Sequence, residues 1–106
     1  MSQLKRLLGK RIKEIRTSRG LTQEQLSEAT NIGAPSISKI ESGVYHPTDD
    51  NLEKISKALN IEPYKLYMFN YLKDPQDLKK EIDNKLAKAS NDEIRIIYKI
   101  INAIID

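Results

Sequence analysis

The stretch TQEQLSEATNIGAPSISKIESG, residues 22–43, contains two short helical patterns separated by about three residues. Thr22 and Gln25 fit a capping box at the start of the first pattern, in which each side chain satisfies a free backbone N–H. Gly33 ends the turn between the patterns, where we expect it to take a positive φ. Pro35 lies in the first turn of the second pattern, where its missing N–H is tolerated. The stretch therefore predicts two short helices packed closely across a tight turn.

Helical periodicity continues on both sides of this stretch. Upstream, apolar residues recur three or four positions apart, which predicts a first helix that Gly20 ends. Its inward positions are Leu4, Leu8, Ile12 and Ile15. Downstream, Thr48 caps a fourth helix and Pro63 starts a short fifth one, and no strand pattern interrupts them, so the fold class is all-α. The inward positions of the second to fifth helices are Leu26, Ala29, Ile37, Ile40, Leu52, Ile55, Leu59, Leu66 and Phe69.

A break in the apolar pattern around Pro75 divides the chain. We expect a helical domain over residues 1–70, a linker over 71–75 and a C-terminal helical segment over 76–106. The segment begins with a thin apolar stripe at Leu78, Ile82, Leu86 and Ala89. A second capping box, at Ser90, then opens a much more apolar helix. Its stripe consists of Ile94, Ile97, Tyr98, Ile101, Ile104 and Ile105, and it is widened by Ile96 and Ile100.

Charge and composition narrow the function classes. The 106 residues carry a net charge of +3, but residues 1–20 hold seven basic residues against one acidic residue, which favours a polyanionic partner. Cysteine is absent and histidine occurs once, so we expect no disulfide, no metal site and no cofactor. No spacing of carboxylates, serines or histidine builds a catalytic constellation, so we do not expect an enzyme. The apolar runs are too short to span a bilayer and the N-terminus lacks signal-peptide features, so we expect an intracellular protein.

Two helices joined by a tight turn form a helix-turn-helix, and the surrounding residues make this pattern more specific. The stretches RIKEIRTSRGLTQEQLSEAT, SISKIESG, a following proline and LEKISKALNI resemble the phage-repressor and Cro-like, or Xre-type, family of transcription regulators. The resemblance covers about residues 8–70. It implies a five-helix lambda-repressor-like domain in which residues 22–30 and 34–42 are the motif helices and the second enters the DNA major groove. It also implies a transcription regulator, most simply a repressor, that acts in the cytoplasm at the nucleoid.

The resemblance also assigns roles to individual residues. The base-reading positions correspond to Gly33, Ala34, Pro35, Ser36, Ser38 and Lys39. Lys39 can donate to guanine, whereas Ala34 and Pro35 have no hydrogen-bonding side chain and leave more of the recognition to shape and phosphate contacts. The phosphate-contacting positions correspond to Thr22, Gln23, Asn31, Ser42, Tyr45 and His46. Arg16 and Glu41 correspond to an internal ion pair that fixes the recognition helix.

Several of these side chains have a plainer interpretation. Gln23 can be an exposed helix former, Ser36 a helix-end cap and Lys39 a solvated surface lysine. His46 can be a solvated loop side chain, and a pH switch is a further alternative.

The apolar C-terminal stripe predicts how the protein associates. Helix-turn-helix dimers read two half-sites about 34–36 Å apart, so we expect a homodimer on a palindromic operator. The stripe between Ile94 and Ile105 predicts the dimerisation surface, because Ile96 and Ile100 make it wider than a one-sided surface helix requires. The alternative is an intramolecular hairpin that packs the stripe on the first five helices. In a second function class, an antitoxin or co-regulator, the stripe binds a protein or peptide partner and DNA binding serves autoregulation.

Overall fold

Helices account for the regular structure of residues 2–105, the part of the chain that the computed structural model describes, and none of these residues forms a strand. The α-helices are α1 (Gln3–Ser18), α2 (Gln23–Thr30), α3 (Ala34–Glu41), α4 (Asp49–Ala58), α5 (Pro75–Lys88) and α6 (Asn91–Ile104). Two 3₁₀ helices, Pro63–Tyr67 and Asn70–Leu72, lie between α4 and α5 in the sequence. The predicted all-α class is confirmed, and the expected fifth helix is the first of the two 3₁₀ helices.

The described residues fall into two compact units that divide between Leu72 and Lys73. The first unit contains α1 to α4 and both 3₁₀ helices, and it buries one cluster of leucine, isoleucine and phenylalanine side chains. The cluster consists of Leu7, Leu8, Ile12, Ile15, Leu26, Ile32, Ile37, Ile40, Leu52, Ile55, Leu59, Leu66 and Phe69. All the predicted inward positions of this unit belong to it except Leu4 and Ala29.

Leu4 and Ala29 are exposed, so the prediction that they face the core is wrong. Leu4 is 48% exposed because Leu7 fills the inward side of the first turns of α1. On α2 the second inward position is Thr30, four residues after Leu26, rather than Ala29. Thr30 is tolerated in the core because its hydroxyl donates to the carbonyl oxygen of Leu26 at 2.7 Å, which leaves no polar atom without a partner.

The helix ends have the predicted chemistry, with one difference in the turn of the motif. Thr22 and Ser90 form complete capping boxes, and the Thr48 hydroxyl caps α4. Gly33 does not take the expected positive φ, because it is the N-cap of α3 and has a φ of −57°. The left-handed residue of this turn is Asn31, with a φ of 59°, a conformation that asparagine adopts more readily than most residues.

Helices α1 and α3 approach each other closely at Gly9, a residue that sequence analysis did not single out. A Cβ atom on Gly9 would lie 2.4 Å from the carbonyl oxygen of Ile40 and 2.6 Å from that of Glu41. A glycine inside a helical pattern can signal such an approach, although the pattern does not identify the partner. The absence of a side chain at this position lets the end of α3 rest against the backbone of α1.

The second unit contains α5 and α6, and neither helix has a buried residue. Pro75 lies in the first turn of α5, so the break in the apolar pattern coincides with a helix start. Within the α6 stripe, Ile97 is half-buried and Ile104 is 76% exposed. Ile105 departs from the predicted helical stripe, because α6 ends at Ile104 and Ile105 caps it with an extended backbone. None of the helices in residues 2–105 has the length and hydropathy needed to cross a membrane.

Candidate nucleic-acid interface

Helix α3 has two chemically different faces. The buried face consists of Ile37, Ile40 and Glu41. The opposite, exposed face consists of Pro35, Ser38, Lys39 and Ser42, which we call the α3 strip. Ala34 and Ser36 are half-buried at its edges, and Gly33 precedes the helix as its N-cap. Of the predicted base-reading side chains, the structure therefore places those of Pro35, Ser38 and Lys39 together in solvent.

A buried ion pair fixes α3 against α1. Two nitrogens of the Arg16 guanidinium donate to the Glu41 carboxylate, with Nε to Oε2 at 2.6 Å and Nη2 to Oε1 at 3.0 Å. The residues are only 7% and 6% exposed. The remaining nitrogen of Arg16, Nη1, donates to the carbonyl oxygen of Leu21 at 2.6 Å. Because the planar guanidinium makes all three contacts at once, it holds α1, the α1–α2 connection and the end of α3 in one geometry.

Gln23 joins this network through a contact that sequence analysis missed. Its side-chain Nε2 donates to Glu41 Oε1 at 3.0 Å and links the first residue of α2 to the end of α3. Eighteen positions separate the two residues, so no local spacing rule signals the bond. Within residues 2–105 the second amide N–H and the amide oxygen of Gln23 make no hydrogen bond, and both are therefore available to a ligand.

Thr22 and Asn31 lie at opposite ends of α2. The Thr22 hydroxyl accepts the Gln25 backbone N–H at 3.0 Å, and the Thr22 backbone N–H donates to the Gln25 side-chain oxygen at 2.9 Å. The Thr22 hydroxyl hydrogen takes no part in this capping box. Asn31 is exposed at the C-cap, nine residues after Thr22 and therefore about 13.5 Å away along the helix at 1.5 Å per residue. The structure therefore groups Thr22 with Gln23 and separates Asn31 from them.

Lys39 and Tyr45 form a cation–π contact at the end of the α3 strip. The Lys39 Nζ lies 5.6 Å from the centroid of the Tyr45 ring, and both side chains are exposed. The Ser42 hydroxyl donates to the Lys39 carbonyl oxygen at 3.2 Å. The contact places the Lys39 ammonium group over the face of the Tyr45 ring, next to the α3 strip.

His46 is engaged inside the first unit. Its Nδ1 lies 2.7 Å from the Pro47 carbonyl oxygen, and its Nε2 lies 3.1 Å from the Tyr67 hydroxyl. A carbonyl oxygen only accepts, so Nδ1 carries a hydrogen and donates to Pro47, while Nε2 shares a hydrogen bond with the Tyr67 hydroxyl. Burial raises the pKa of Tyr67, and the negative charge of Asp49 raises it further. His46 therefore ties the loop after α3 to the first 3₁₀ helix, and its ring nitrogens are not free for the phosphate contact expected from the sequence.

A second polar cluster removes one basic residue from the candidate interface. Arg11 donates from Nη1 to the Tyr71 hydroxyl at 2.7 Å and from Nε to the Lys65 carbonyl oxygen at 3.2 Å. The Tyr71 hydroxyl donates in turn to the Glu14 carboxylate. Burial raises the pKa of Tyr71, and its hydrogen bond to Glu14 raises the pKa further. This cluster pins the last turn of the first unit onto α1, so Arg11 serves the fold.

The exposed polar groups of the interface are hydroxyls and amides, which can donate hydrogen bonds, and one lysine cation. Among residues 2–105 no group of three or more histidine, cysteine, aspartate or glutamate side chains is placed to hold a metal ion. The Glu41 carboxylate, beside the α3 strip, is neutralised by Arg16. Such a surface is suited to an anionic partner that also has hydrogen-bond acceptors. DNA has both, in its phosphates and in the base edges of its major groove.

Residues 12–66 match the family model described as Helix-turn-helix. The matched range covers 55 of the 106 residues and includes α2, the turn, α3 and the Arg16–Glu41 pair. This chain belongs to the helix-turn-helix family. The family expected from the sequence resemblance is confirmed.

Relatives of this helix-turn-helix protein carry the names of regulators rather than enzymes. Control protein C.BamHI of Bacillus amyloliquefaciens is 36% identical over 69 residues, which cover 64% of this chain and 85% of that protein. The HTH-type transcriptional regulator ImmR of Bacillus subtilis (strain 168) is 37% identical over 90 residues, or 83% of this chain and 65% of ImmR. The crystal structure of the restriction-modification controller protein C.AhdI from Aeromonas hydrophila, 33% identical, matches 57% of this chain and 92% of that one with a TM-score of 0.57. The similarity to ImmR is longer than the first unit and therefore reaches into the second.

Proposed function

We propose that this helix-turn-helix protein is a sequence-specific double-stranded-DNA-binding transcription regulator whose α3 lies in the major groove. The observation that carries the proposal is the exposed α3 strip, held in a fixed orientation by the buried Arg16–Glu41 pair. A recognition helix needs both an uncovered polar face and a rigid attachment, because base reading depends on donors at defined positions. The similarity to control protein C.BamHI and to the regulator ImmR supports the same role.

Lys39 is the principal base-reading residue of this proposal, since its ammonium group can donate to guanine O6 or N7. Ser38 lies beside it and can donate to or accept from a base edge. Pro35 offers an apolar contact to a thymine methyl group, and Ala34 does the same from the edge of the strip. Gly33 and Ser36 contribute less, because Gly33 has no side chain and Ser36 is half-buried.

Phosphate contacts come from both sides of the α3 strip. Gln23 and Thr22 supply donors at the start of α2. Ser42, the C-cap of α3, and Tyr45, in the loop that follows, supply hydroxyls. Asn31 reaches a phosphate at a different point of the backbone, because it lies at the other end of α2. These contacts position the protein on the duplex without reading its sequence.

The second unit supplies a homodimer in this proposal. Helices of 14 residues, such as α5 and α6, are marginal on their own in water, and here neither has a buried residue. A second copy of the chain can cover the α6 stripe, because residues 73–106 contain seven basic and seven acidic residues and two copies therefore do not repel each other. The dimer places two α3 helices on one palindromic operator, where it represses by occupying the site in the cytoplasmic nucleoid.

A co-regulator or antitoxin is the second candidate function. The uncovered α6 stripe favours it, since the same isoleucines can bind an apolar surface of another protein. In that case the second unit becomes ordered with its partner, and DNA binding serves autoregulation.

Selection from a pool of random duplexes, followed by light scattering, tests the proposal. We expect enrichment of a palindromic duplex and a complex with the mass of two chains and one duplex.

Lys39→Ala should weaken binding to the selected duplex by about 1–3 kcal/mol per half-site, with little change on random duplex. Lys57 is an exposed lysine of α4, so Lys57→Ala is the charge-matched control and should bind DNA as the wild type does. A monomer that selects no duplex contradicts the proposal and favours the co-regulator.

A further inference from the structure

A small cleft lies between α1, α2 and α3, next to the α3 strip. It has a volume of about 190 Å³ and is lined by Lys13, Gln23, Ser38, Glu41 and Ser42. This is about six times the 30 Å³ that one water molecule occupies in the liquid, so a phosphate group fits with some of its hydration. We propose that the cleft takes one backbone phosphate of the bound DNA and that Lys13 is the cation that neutralises it. The inference rests on the proposed function and adds a residue of α1 to the interface.

The cleft offers donors from three helices. Lys13 is exposed and takes part in none of the ion pairs found among residues 2–105, so its ammonium hydrogens are available. Gln23 adds the amide N–H that Glu41 does not use. Ser38 adds a hydroxyl that has no partner within the described part of the chain. A phosphate oxygen accepts from all three kinds of donor, and the lysine adds charge.

The carboxylate of Glu41 does not oppose an anion in this cleft. Its Oε2 accepts from Arg16, and its Oε1 accepts from both Arg16 and Gln23. The ion pair with Arg16 cancels the negative charge, so Lys13 leaves the lining of the cleft with a net positive charge. Glu41 acts here as a positioning residue, because the bond that it accepts turns the remaining N–H of Gln23 away from the carboxylate and fixes its orientation.

Other basic residues on α1 do not replace Lys13. Arg11 is held by Tyr71 and Glu14, and Arg16 is buried against Glu41. Lys10 is exposed but does not line the cleft. The concentration of positive charge in residues 1–20 therefore reaches this cleft through Lys13.

The salt dependence of DNA binding tests the assignment. Each neutralised phosphate contributes about 0.9 to the slope of log K against log salt concentration, and a dimer contains two copies of Lys13. Lys13→Gln should therefore lower the magnitude of the slope by about 1.8 on the selected duplex and by a similar amount on random duplex. The affinity ratio of wild type to variant should then change about twelvefold between 50 and 200 mM salt. Lys57→Gln, which removes the same charge from an exposed position on α4, should leave the slope unchanged.

Neutral methylphosphonate linkages, placed one at a time along each half-site, identify the phosphate. At one linkage the substitution should weaken wild-type binding and have no further effect on Lys13→Gln, because both changes remove the same interaction. An unchanged salt slope, or the absence of any such linkage, overturns the inference while selection of a duplex by the wild type leaves the proposed function intact. Wild-type protein that binds no duplex overturns both. Binding of inorganic phosphate that depends on Lys13, without a change in salt slope, assigns the cleft to a free anion and also overturns the inference.

Discussion

Glu41 connects three helices through one carboxylate. It lies at the end of α3, accepts two bonds from Arg16 of α1, and accepts a third from Gln23 at the start of α2. An aspartate would be one methylene shorter and a glutamine would carry no charge, so neither reproduces all three contacts. At the scale of single residues, the stability of the domain and the orientation of its DNA-facing groups therefore depend on the same side chain.

Glu41→Ala should lower the free energy of unfolding by about 3–5 kcal/mol, because it leaves the Arg16 guanidinium buried without its counter-charge. Urea unfolding followed by far-UV circular dichroism measures this change. Glu53→Ala removes a carboxylate from an exposed position on α4 and should change stability by less than about 0.5 kcal/mol. A loss below about 1 kcal/mol for Glu41→Ala would show that solvent reaches the pair and replaces it.

Gly9→Ala should destabilise the protein by about 1–3 kcal/mol, although alanine is the better helix former. The added methyl group would lie 2.4 Å from a backbone oxygen of α3, which cannot move aside as a flexible side chain can. Thermal unfolding measures the effect. Lys10→Ala, at the next and exposed position of α1, is the matched control and should be neutral or slightly stabilising. Equal behaviour of the two variants would mean that α1 and α3 shift apart at no cost.

Elements that are specified by local rules were predictable, and those that depend on distant partners were not. Periodicity and capping residues predicted α1 to α4 and both capping boxes, because each of these signals lies within four residues. The choice between Gly33 and Asn31 as the left-handed residue depends on the helix geometry on both sides of the turn. The burial of Thr30 instead of Ala29 depends on how α2 meets its neighbours. The positions of Gly9, Gln23 and Tyr71 depend on partners at least 18 positions away, which no short pattern contains.

The start of α6 should respond to acid through its capping box. The backbone N–H of Ser90 donates to the Glu93 carboxylate and, with the neighbouring Ser90 hydroxyl, holds the pKa of this group below its ordinary value. A lowered pKa in the folded state contributes stability above the unfolded pKa, and this contribution disappears as the pH falls through the folded value. An NMR titration of the Glu93 carboxylate should show the lowered pKa. The helicity of the second unit should decrease as the pH falls through that pKa. Glu93→Gln should flatten the pH dependence of the α6 start, and an ordinary pKa for Glu93 would contradict the prediction.

The whole molecule combines one unit that has its own core with another that does not. The first unit buries thirteen apolar side chains, whereas α5 and α6 of the second unit bury none. Because folding must offset the loss of conformational entropy with buried apolar surface, we expect the second unit to need a further apolar surface that covers α6. The width of the α6 stripe in the sequence predicts this apolar excess. The sequence does not identify the surface that covers the stripe, because isoleucine side chains make no directional contacts such as hydrogen bonds.

Ile101→Asp should convert the proposed dimer into a monomer whose first unit remains folded, because it places a charge in the middle of the α6 stripe. Sedimentation equilibrium measures the association, and circular dichroism measures the fold. Asn102→Asp introduces the same side chain at the next position, on the polar side of α6, and should leave the dimer intact. A variant Ile101→Asp that dimerises as strongly as the wild type would rule out this face as the contact between copies.

In the proposed dimer the second unit completes its core by pairing with a second copy, and this has a consequence for dosage. When most chains are monomeric, the concentration of dimer follows the square of the chain concentration, so halving the number of chains lowers the dimer concentration by about fourfold. A target controlled in this way is released over a narrow interval of cellular abundance, and a modest rise in proteolysis or a delay in synthesis is enough to cross it. The affinity between the α6 isoleucines of two copies would then set the chain concentration at which the target is released, so control would depend directly on the number of chains in the cell.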